Sequence, residues 1–375
     1  MLGRYLLLPL IVGAFVHGYW VPEIPPLSQV EISAFSKFWL RRGVFDLRNF
    51  EFIDGNTTDV RLHYWTLGHI KQNYKNKTIN AVLLLHGTAE SGQDFMSLNF
   101  AEELFEKWKP LDARNHYIII PDAIGHGRSS KPSDGLGTGF PRYRHEDTVN
   151  AVRQLLAKLK VDRLRLILGA SGGGSQAWNY ASVYPDEVAA IMTLAWTPIP
   201  VSGRERMMRQ TIVEAIRSDA TFNNGFYEQQ PKAGLTAAVS VASMMTLSPV
   251  WLQERGPDEL LADGLRRNLI DGDLRKVDAN DMMYQWGSTW KHDIVNSYRK
   301  MKCHVNAINT EDDVMNPYIA RLLDRTMVKV PRASWFTIPI DRGTFGHRTY
   351  RNATIWKDHL WDVMNRGFDD WWYHR

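Results

Sequence analysis

The fold of this chain is decided by the stretch Leu166-Ile167-Leu168-Gly169-Ala170-Ser171-Gly172-Gly173-Gly174. Its apolar residues predict a buried strand, and the residues after the glycines predict a helix over 176–183. A G-x-S-x-G motif lies between them, and its sharp turn raises the serine above the carboxyl end of a sheet. The glycines let neighbouring backbone pass close by. We therefore predict that Ser171 is a nucleophile rather than a serine in a merely glycine-rich turn.

Apolar strands alternate with amphipathic helices on both sides of this motif. The predicted strands cover 81–85, 117–120, 164–168, 188–194, 305–308 and 335–338, and the predicted helices cover 95–108, 146–160, 176–183 and 354–364. A hairpin is predicted over 50–68, where residues alternate around a glycine turn. This alternation indicates an α/β fold with a mostly parallel sheet flanked by helices. Residues 198–300 are helix-like and rich in Met and Trp, which predicts an inserted helical cap.

Composition excludes several classes of protein. The 375 residues are 44% hydrophobic and 23% charged, which is typical of a globular chain rather than a disordered, collagen-like or coiled-coil one. The net charge of +4 is scattered, so we expect no nucleic-acid partner. The single cysteine, Cys303, excludes an intrachain disulfide and a cysteine-built zinc site. No metal is expected either, because paired ligand spacing is absent among His116, His126, His145 and His347.

The first 18 residues have the pattern of a secretory signal peptide. Arg4 precedes an apolar stretch from Tyr5 to Val16, which is shorter than the roughly 20 residues that span a membrane. The alternative is an uncleaved apolar N-terminus that anchors or packs. We predict a signal peptide over 1–18 and an N-terminal extension over 19–44. No other segment is apolar enough to span a membrane, so we expect no stable membrane insertion.

Three sequons agree with secretion. They begin at Asn56, Asn76 and Asn352, and each has threonine two residues later. We predict a secreted glycoprotein with these three residues as acceptors.

The base and the acid are sought after the nucleophile, in the order Ser, acid, His. An acidic turn follows the strand 305–308, and Asp313 is preferred there over Asp312 and Glu311. Whichever carboxylate is not catalytic is expected to cap the next helix. His347 follows the last strand on a glycine-flanked loop and is preferred as the base. The later alternatives are His359, in the terminal helix, and His374.

Two backbone N–H groups are expected to form the oxyanion hole. One belongs to Gly172, directly after the nucleophile, and the other to Thr88, in the loop after the strand 81–85. His86 is expected to hold that loop, and Asp122 and His126 to stabilise the turn after the strand 117–120.

The chain resembles the α/β-hydrolase superfamily, in the branch related to homoserine O-acetyltransferase. The resemblance runs from about residue 50 to 364 and is most specific at 85–87, at 121–133 (PDAIGHGRSSKPS), at 143–173 and in the spacing of Asp313 from Pro317. It implies an α/β-hydrolase core over 45–197 and 301–368, with the cap at 198–300. A proline four residues after the acid is a family feature, which favours Asp313.

Two positions depart from the family pattern. The family's elbow usually reads G-x-S-M-G-G-M-Q, whereas residues 171–176 read SGGGSQ. In the transferases an aspartate follows the base and is thought to hold the amino group of homoserine. Arg348 stands there in this chain, and it would repel an ammonium group. A signal peptide would also separate the protein from cytosolic acetyl-CoA.

The sequence therefore predicts a serine hydrolase that cleaves a carboxylic ester through an acyl-enzyme. It acts on a small-molecule ester or acyl donor through Ser171, His347 and Asp313, and requires no cofactor. The alternatives are an O-acyltransferase of the homoserine type and a non-catalytic binding module. The cap is expected to line an apolar pocket over Ser171, with an anionic contact from Arg204, Arg206 or Arg348. The oligomeric state stays open.

Overall fold

A computed structural model describes residues 13–16, 19–22, 32–288 and 294–365. The strands within these ranges are β1 (Gly13–Val16), β2 (Tyr19–Pro22), β3 (Leu40–Glu51), β4 (Thr57–Leu67), β5 (Ala81–Leu85), β6 (Tyr117–Pro121), β7 (Leu166–Ala170), β8 (Ala190–Leu194), β9 (His304–Thr310) and β10 (Ala333–Ile338). The helices are α1 (Ala34–Trp39), α2 (Leu98–Leu104), α3 (His145–Lys158), α4 (Gly172–Val183), α5 (Gly203–Arg217), α6 (Lys232–Thr246), α7 (Pro249–Arg255), α8 (Glu259–Leu274), α9 (Ala279–Gly287), α10 (Ile294–Ser297), α11 (Leu322–Met327) and α12 (Lys357–Asn365).

Eight of the described strands form one sheet, in the order β10-β9-β8-β7-β5-β6-β4-β3. The six strands from β10 to β6 are parallel, and β4 and β3 join antiparallel at the edge. The carboxyl ends of the parallel strands share one edge of the sheet, and the loops that follow β5, β7, β9 and β10 meet there. The expected α/β fold with a mostly parallel sheet is confirmed.

Apolar side chains cover both faces of the sheet, because neighbouring residues of a strand point to opposite faces. Leu84 and Leu168 pack with α2 and α12 on one face. Leu83 and Ile167 pack with α3, α4 and α11 on the other. Strands buried on both faces read as continuous apolar runs, which is why β5 was predicted to the residue.

Helices α5 to α10 occupy the segment between β8 and β9, where the sequence predicts the cap. Helices α5, α6, α8 and α9 share an apolar core of their own, which includes Met208, Ile212, Met282 and Trp286. Met315, in the loop after β9, packs against this core and connects it to the edge of the sheet. No single described helix is long and apolar enough to cross a membrane. Helices α6 and α7 together are long and apolar enough to cross a membrane, but the chain bends by 106° between them.

Several predicted boundaries differ from the structure, and two of these differences have a clear cause. Strand β3 starts at Leu40, which pairs with Leu67 of β4, so residues 40–44 belong to the sheet rather than to an extension. Arg41 and Arg42 on this edge strand obscure its pattern. The helix predicted over 95–108 is instead a 3₁₀ turn over Gly92–Met96 followed by α2, because Ser97 has an extended backbone between them.

The predicted hairpin is present as β3 and β4, with Gly55 at a φ of 87° in its turn. Residues 1–12 and 17–18 of the predicted signal peptide lie outside the described residues. The described part of it, β1, pairs antiparallel with β2.

Candidate active site

Ser171 lies on a sharp turn between β7 and α4. Its φ of 50° and ψ of −117° are rare for a residue with a side chain. A Cβ atom on Gly169 would lie 2.2 Å from the carbonyl oxygen of Gly173, and one on Gly173 would lie 2.0 Å from that of Leu85. Strand and helix thus approach too closely for any residue but glycine at these two positions.

A continuous line of hydrogen bonds joins Ser171, His347 and Asp313. The Nε2 atom of His347 lies 2.8 Å from Ser171 Oγ, and its Nδ1 atom lies 2.8 Å from Asp313 Oδ2. All three side chains are buried. The distances and the order suit a nucleophile, a base and an acid that orients the base. The structure brings the three preferred residues together, and their catalytic roles stay predictions.

Asp313 is held in its ionised form by its surroundings. Burial by itself raises the pKa of this carboxyl, but the charge and hydrogen bond of His347 and the hydrogen bonds from Asn316 and the Met315 N–H outweigh it. The pKa of Asp313 is therefore lower than usual. Met315 N–H donates at 2.8 Å and the Asn316 side chain at 2.9 Å. An ionised Asp313 favours the tautomer in which His347 carries its proton on Nδ1.

The two neighbouring carboxylates hold other parts of the loops. Asp312 Oδ2 accepts the N–H of Gly346 at 3.0 Å, directly before His347. Glu311 accepts the N–H of Ile340 at 3.4 Å. Neither carboxylate has a described hydrogen bond to His347, so the geometry favours Asp313 as the orienting acid.

The other histidines considered for the base are not part of this line. His359 lies in α12, half-buried rather than in the core, and its ring packs on Phe336 of β10 with the centroids 4.6 Å apart. His374 lies outside the described residues. His347 itself lies in the 3₁₀ helix Gly346–Arg351.

The two predicted oxyanion donors adjoin each other. A Cβ atom on Gly172 would lie 3.2 Å from the backbone nitrogen of Thr88. Neither N–H donates a hydrogen bond to another described group, and Gly172 starts α4, where backbone N–H groups lack helical acceptors. The Thr88 loop is fixed by His126, whose Nε2 atom lies 2.8 Å from the Thr88 carbonyl oxygen. Two N–H groups beside Ser171 are thus available to an oxyanion.

A profile described as "alpha/beta hydrolase fold" matches residues 80–322, which is more than half of the chain. The chain belongs to the α/β-hydrolase fold family. The curated relative described below is an enzyme of this fold.

The relatives of this α/β hydrolase include transferases and esterases. A homoserine O-acetyltransferase of Chlorobaculum tepidum is 28% identical over 292 residues, which are 71% of this chain and 79% of the relative. The crystal structure of a homoserine O-acetyltransferase from Bacillus anthracis has a TM-score of 0.74 at 19% identity, covering 88% of this chain and 98% of that one. An acetylester hydrolase from Corynebacterium glutamicum has a TM-score of 0.72 at 20% identity, covering 86% and 96%. The expected resemblance to the homoserine O-acetyltransferase branch is confirmed.

The remaining polar residues singled out from the sequence have structural contacts in this α/β hydrolase. His86 accepts the N–H of Ala123 at 3.0 Å, which ties the loop after β5 to the turn after β6. Asp122 accepts the N–H groups of Gly92 and Arg128 and contacts His63. Among the described residues, no cluster of three His, Cys, Asp or Glu side chains is suited to hold a metal ion.

Two cavities adjoin Ser171 and His347, with volumes of about 270 and 180 Å³. The first, which we call the 270 Å³ cavity, extends past Ala195 and Ile199. The second, which we call the 180 Å³ cavity, extends under the cap. A larger cleft of about 1070 Å³ below β3 contains none of the predicted catalytic residues, although Asn76 borders it.

Apolar and charged residues line both cavities together, so the expected apolar pocket also contains charged groups. Arg348 borders the 180 Å³ cavity, as predicted, where it donates to Thr246 Oγ1 at 2.9 Å and lies 3.7 Å from Asp273. Burial lowers the pKa of its guanidinium.

Arg209 borders the 270 Å³ cavity, rather than Arg204 or Arg206. It lies one turn further along α5, is almost fully buried, and donates to Glu205 at 2.9 Å and toward Thr88 Oγ1 at 3.5 Å. The signal that could have found it is its four-residue spacing from Glu205, which is typical of an ion pair on one helix face.

Proposed function

We propose that this protein is a serine hydrolase that cleaves a small carboxylic ester through an acyl-enzyme. The observation that carries the proposal is the hydrogen-bonded line from Ser171 through His347 to Asp313, which ends beside two cavities. The esterases and transferases among its relatives support the same chemistry.

The reaction uses this line twice. His347 Nε2 takes the proton of Ser171 as Oγ attacks the ester carbonyl, and Asp313 stabilises the imidazolium. The N–H groups of Gly172 and Thr88 donate to the oxyanion. His347 then gives its proton to the leaving alcohol, which leaves an acyl group on Ser171. Water attacks this acyl-enzyme with His347 again as the base, and the carboxylic acid is released.

The decisive variant is Ser171→Ala. It should lower kcat by a factor on the order of 10⁶ because the attacking atom is removed. The measurement is hydrolysis of short-chain p-nitrophenyl esters, together with covalent labelling by a fluorophosphonate, which should require Ser171. Thermal unfolding serves as the control for folding. Turnover above a few per cent in the variant, or no labelling of the wild type, would contradict the mechanism, and the latter would favour a non-catalytic binding module.

An O-acyltransferase is the second candidate, because the curated relative from Chlorobaculum tepidum is a homoserine O-acetyltransferase. In that case an acceptor alcohol takes the place of water. Arg348 lines the 180 Å³ cavity together with Ser171 and His347. Its positive charge disfavours an acceptor with an ammonium group nearby.

The two candidates differ in how the acyl-enzyme partitions. We expect water to compete successfully with added alcohols, and the wild type to prefer an acceptor without an amine over a homoserine-type acceptor. Arg348→Asp should shift the kcat/KM ratio toward the amine-bearing acceptor. A wild type that prefers the amine-bearing acceptor would favour the transferase.

A further inference from the structure

The wall of the 270 Å³ cavity contains a second histidine–serine pair. His145 is the first residue of α3, and Ser175 lies one turn after Ser171 in α4. The Nδ1 atom of His145 lies 2.8 Å from Ser175 Oγ. Both residues line the cavity that Ser171 and His347 also line, and they are only 8% and 4% exposed. The proposed hydrolysis uses neither of them.

One polar atom of this pair has no hydrogen-bond partner among the described residues. Ser175 engages Nδ1 of His145, but no described group hydrogen-bonds the other ring nitrogen, Nε2. Nε2 is not among the fully buried polar atoms that lack a partner, so it is open to the cavity. Polar atoms of buried side chains nearly always have a hydrogen-bond partner. The open position is therefore suited to a polar group of a molecule in the cavity.

The pair is uncharged, which limits what it can bind. Burial lowers the pKa of His145 to about 3, and the nearby charges of Arg209 and His126 act in the same direction. A neutral imidazole has one donor and one acceptor nitrogen, and the hydroxyl of Ser175 can rotate to serve either tautomer. Nε2 can therefore donate or accept.

A hydroxyl group matches this property best, because it also donates and accepts. A carboxylate only accepts and an ammonium only donates, and each loses hydration on entering a cavity with apolar neighbours. Those neighbours include Ile199, Pro200 and Val201.

We propose that His145 and Ser175 form a hydroxyl-binding subsite, so that Ser171 acts preferentially on an ester with a free hydroxyl in one of its halves. This inference rests on the proposed ester hydrolase function and specifies its substrate class. The hydroxyl can belong to the alcohol half or to the acyl half, and the experiment separates the two.

Three esters provide the test: propyl butyrate, 3-hydroxypropyl butyrate and propyl 3-hydroxybutyrate. The readout is the ratio of kcat/KM for each hydroxylated ester to that for propyl butyrate. In the wild type we expect this kcat/KM ratio to be about ten for the ester whose hydroxyl reaches the subsite, because that is the effect of one buried hydrogen bond. The gain should lie mainly in KM, because the contact is present in the bound substrate and in the transition state alike.

The variants Ser175→Ala and His145→Phe should bring that ratio to within about twofold of one. A purely structural bond between α3 and α4 would change stability and the rates on all three esters together, but would not move their ratio. Ser182→Ala is the matched control, because Ser182 is a buried serine of the same helix that donates to the Asn179 carbonyl oxygen at 2.9 Å. It should keep the wild-type ratio. Fluorophosphonate labelling verifies that Ser171 is assembled in each variant.

The possible results distinguish a failure of the subsite proposal from a failure of the proposed hydrolase function. Ratios near one for both hydroxylated esters in a wild type that cleaves propyl butyrate overturn the subsite alone. A ratio that survives in both Ser175→Ala and His145→Phe does the same. A wild type that cleaves none of the three esters overturns the ester hydrolase function, and the subsite with it.

Discussion

Asp312 and Asp313 are neighbours in sequence, but their carboxylates serve different atoms. Asp313 contacts His347, whereas Asp312 holds the backbone N–H of Gly346. We expect Asp313→Asn to lower kcat by about 10⁴, because asparagine favours the wrong tautomer of His347. Asp312→Asn should have a far smaller effect, because an amide oxygen still accepts the Gly346 N–H. Steady-state kinetics on one ester measures both.

The comparison of these two variants is internally controlled, since both make the same chemical change in adjacent residues. Thermal unfolding should verify that each variant is folded. Equal, mild effects at both positions would contradict the assignment of the acid, and the reverse ranking would transfer the role to Asp312.

Single site residues could be predicted where a short local motif or loop determines their position. Ser171 and Gly172 belong to one motif, and His347 follows the last strand on a short loop. Arg209 and the pair of His145 with Ser175 were not predicted as cavity residues, because they reach the cavity only when α3, α4 and α5 have packed around the sheet.

At the scale of elements, the close packing of β5, β7 and α4 makes Gly173 indispensable. In Gly173→Ala, the new methyl group would meet the Leu85 carbonyl oxygen at 2.0 Å. We expect this variant to lose both activity and thermal stability. Gly264→Ala in α8 is the control, because its Cβ would meet nothing within 4 Å. It should be more stable by up to about 1 kcal/mol and equally active. A fully active Gly173→Ala would refute the close packing.

Glu90 connects the loop after β5 with the segment that follows His347. Its carboxylate accepts the Gly87 N–H at 2.9 Å, the Tyr350 hydroxyl at 2.6 Å and Arg351 Nε at 2.6 Å. Burial alone would raise the pKa of Glu90, but the charge of Arg351 and these hydrogen bonds lower it to about 2. Glu90→Gln leaves Arg351 without its charged partner. Because the Arg351 side chain is 39% exposed, water compensates part of this loss, and we expect a decrease of about 2 kcal/mol in the free energy of unfolding at pH 7.

The pH dependence of this loss follows from the lowered pKa. Ionised Glu90 contributes fully above its ordinary pKa of 4.5, and the contribution disappears as the pH falls toward about 2. Denaturant unfolding at pH 7 and at several values below 4.5 should show the difference between wild type and Glu90→Gln closing in that window. Glu228→Gln, an exposed position, is the control and should show little difference at any pH. A difference that does not vary with pH would exclude this ionic origin.

Elements were predicted most accurately where both faces of a strand are buried. The bounds of β5 follow from its apolar run alone. Strand β3 starts earlier than predicted because an edge strand exposes one side and carries arginines there. The 3₁₀ turn before α2 was not predicted, because Ser97 interrupts an otherwise periodic segment only through its backbone conformation.

For the whole molecule we propose entry into the secretory pathway, with glycans on the three sequons. Asn56 and Asn76 lie exposed in turns, whereas Asn352 is half-buried. We therefore expect glycosylation at Asn56 and Asn76 to be more complete than at Asn352. Glycosidase mobility shifts and N-terminal sequencing of protein from the native host test this, with Asn56→Gln and Asn76→Gln as the variants. A chain without glycans that retains Met1 would contradict it and favour the cytosolic transferase.

The edge position of β10 has a consequence for biosynthesis. This strand pairs only with β9 among the described strands, and the loop after it carries His347. A ribosome releases residue 347 after all eight strands of this sheet and the cap, so a growing chain that already exposes Ser171 still lacks the proposed base. The proposed hydrolase would thus stay inactive until β10 and the loop after it have been synthesised and have docked. In a refolding experiment, the rate at which fluorophosphonate labelling returns would report the arrival of that strand.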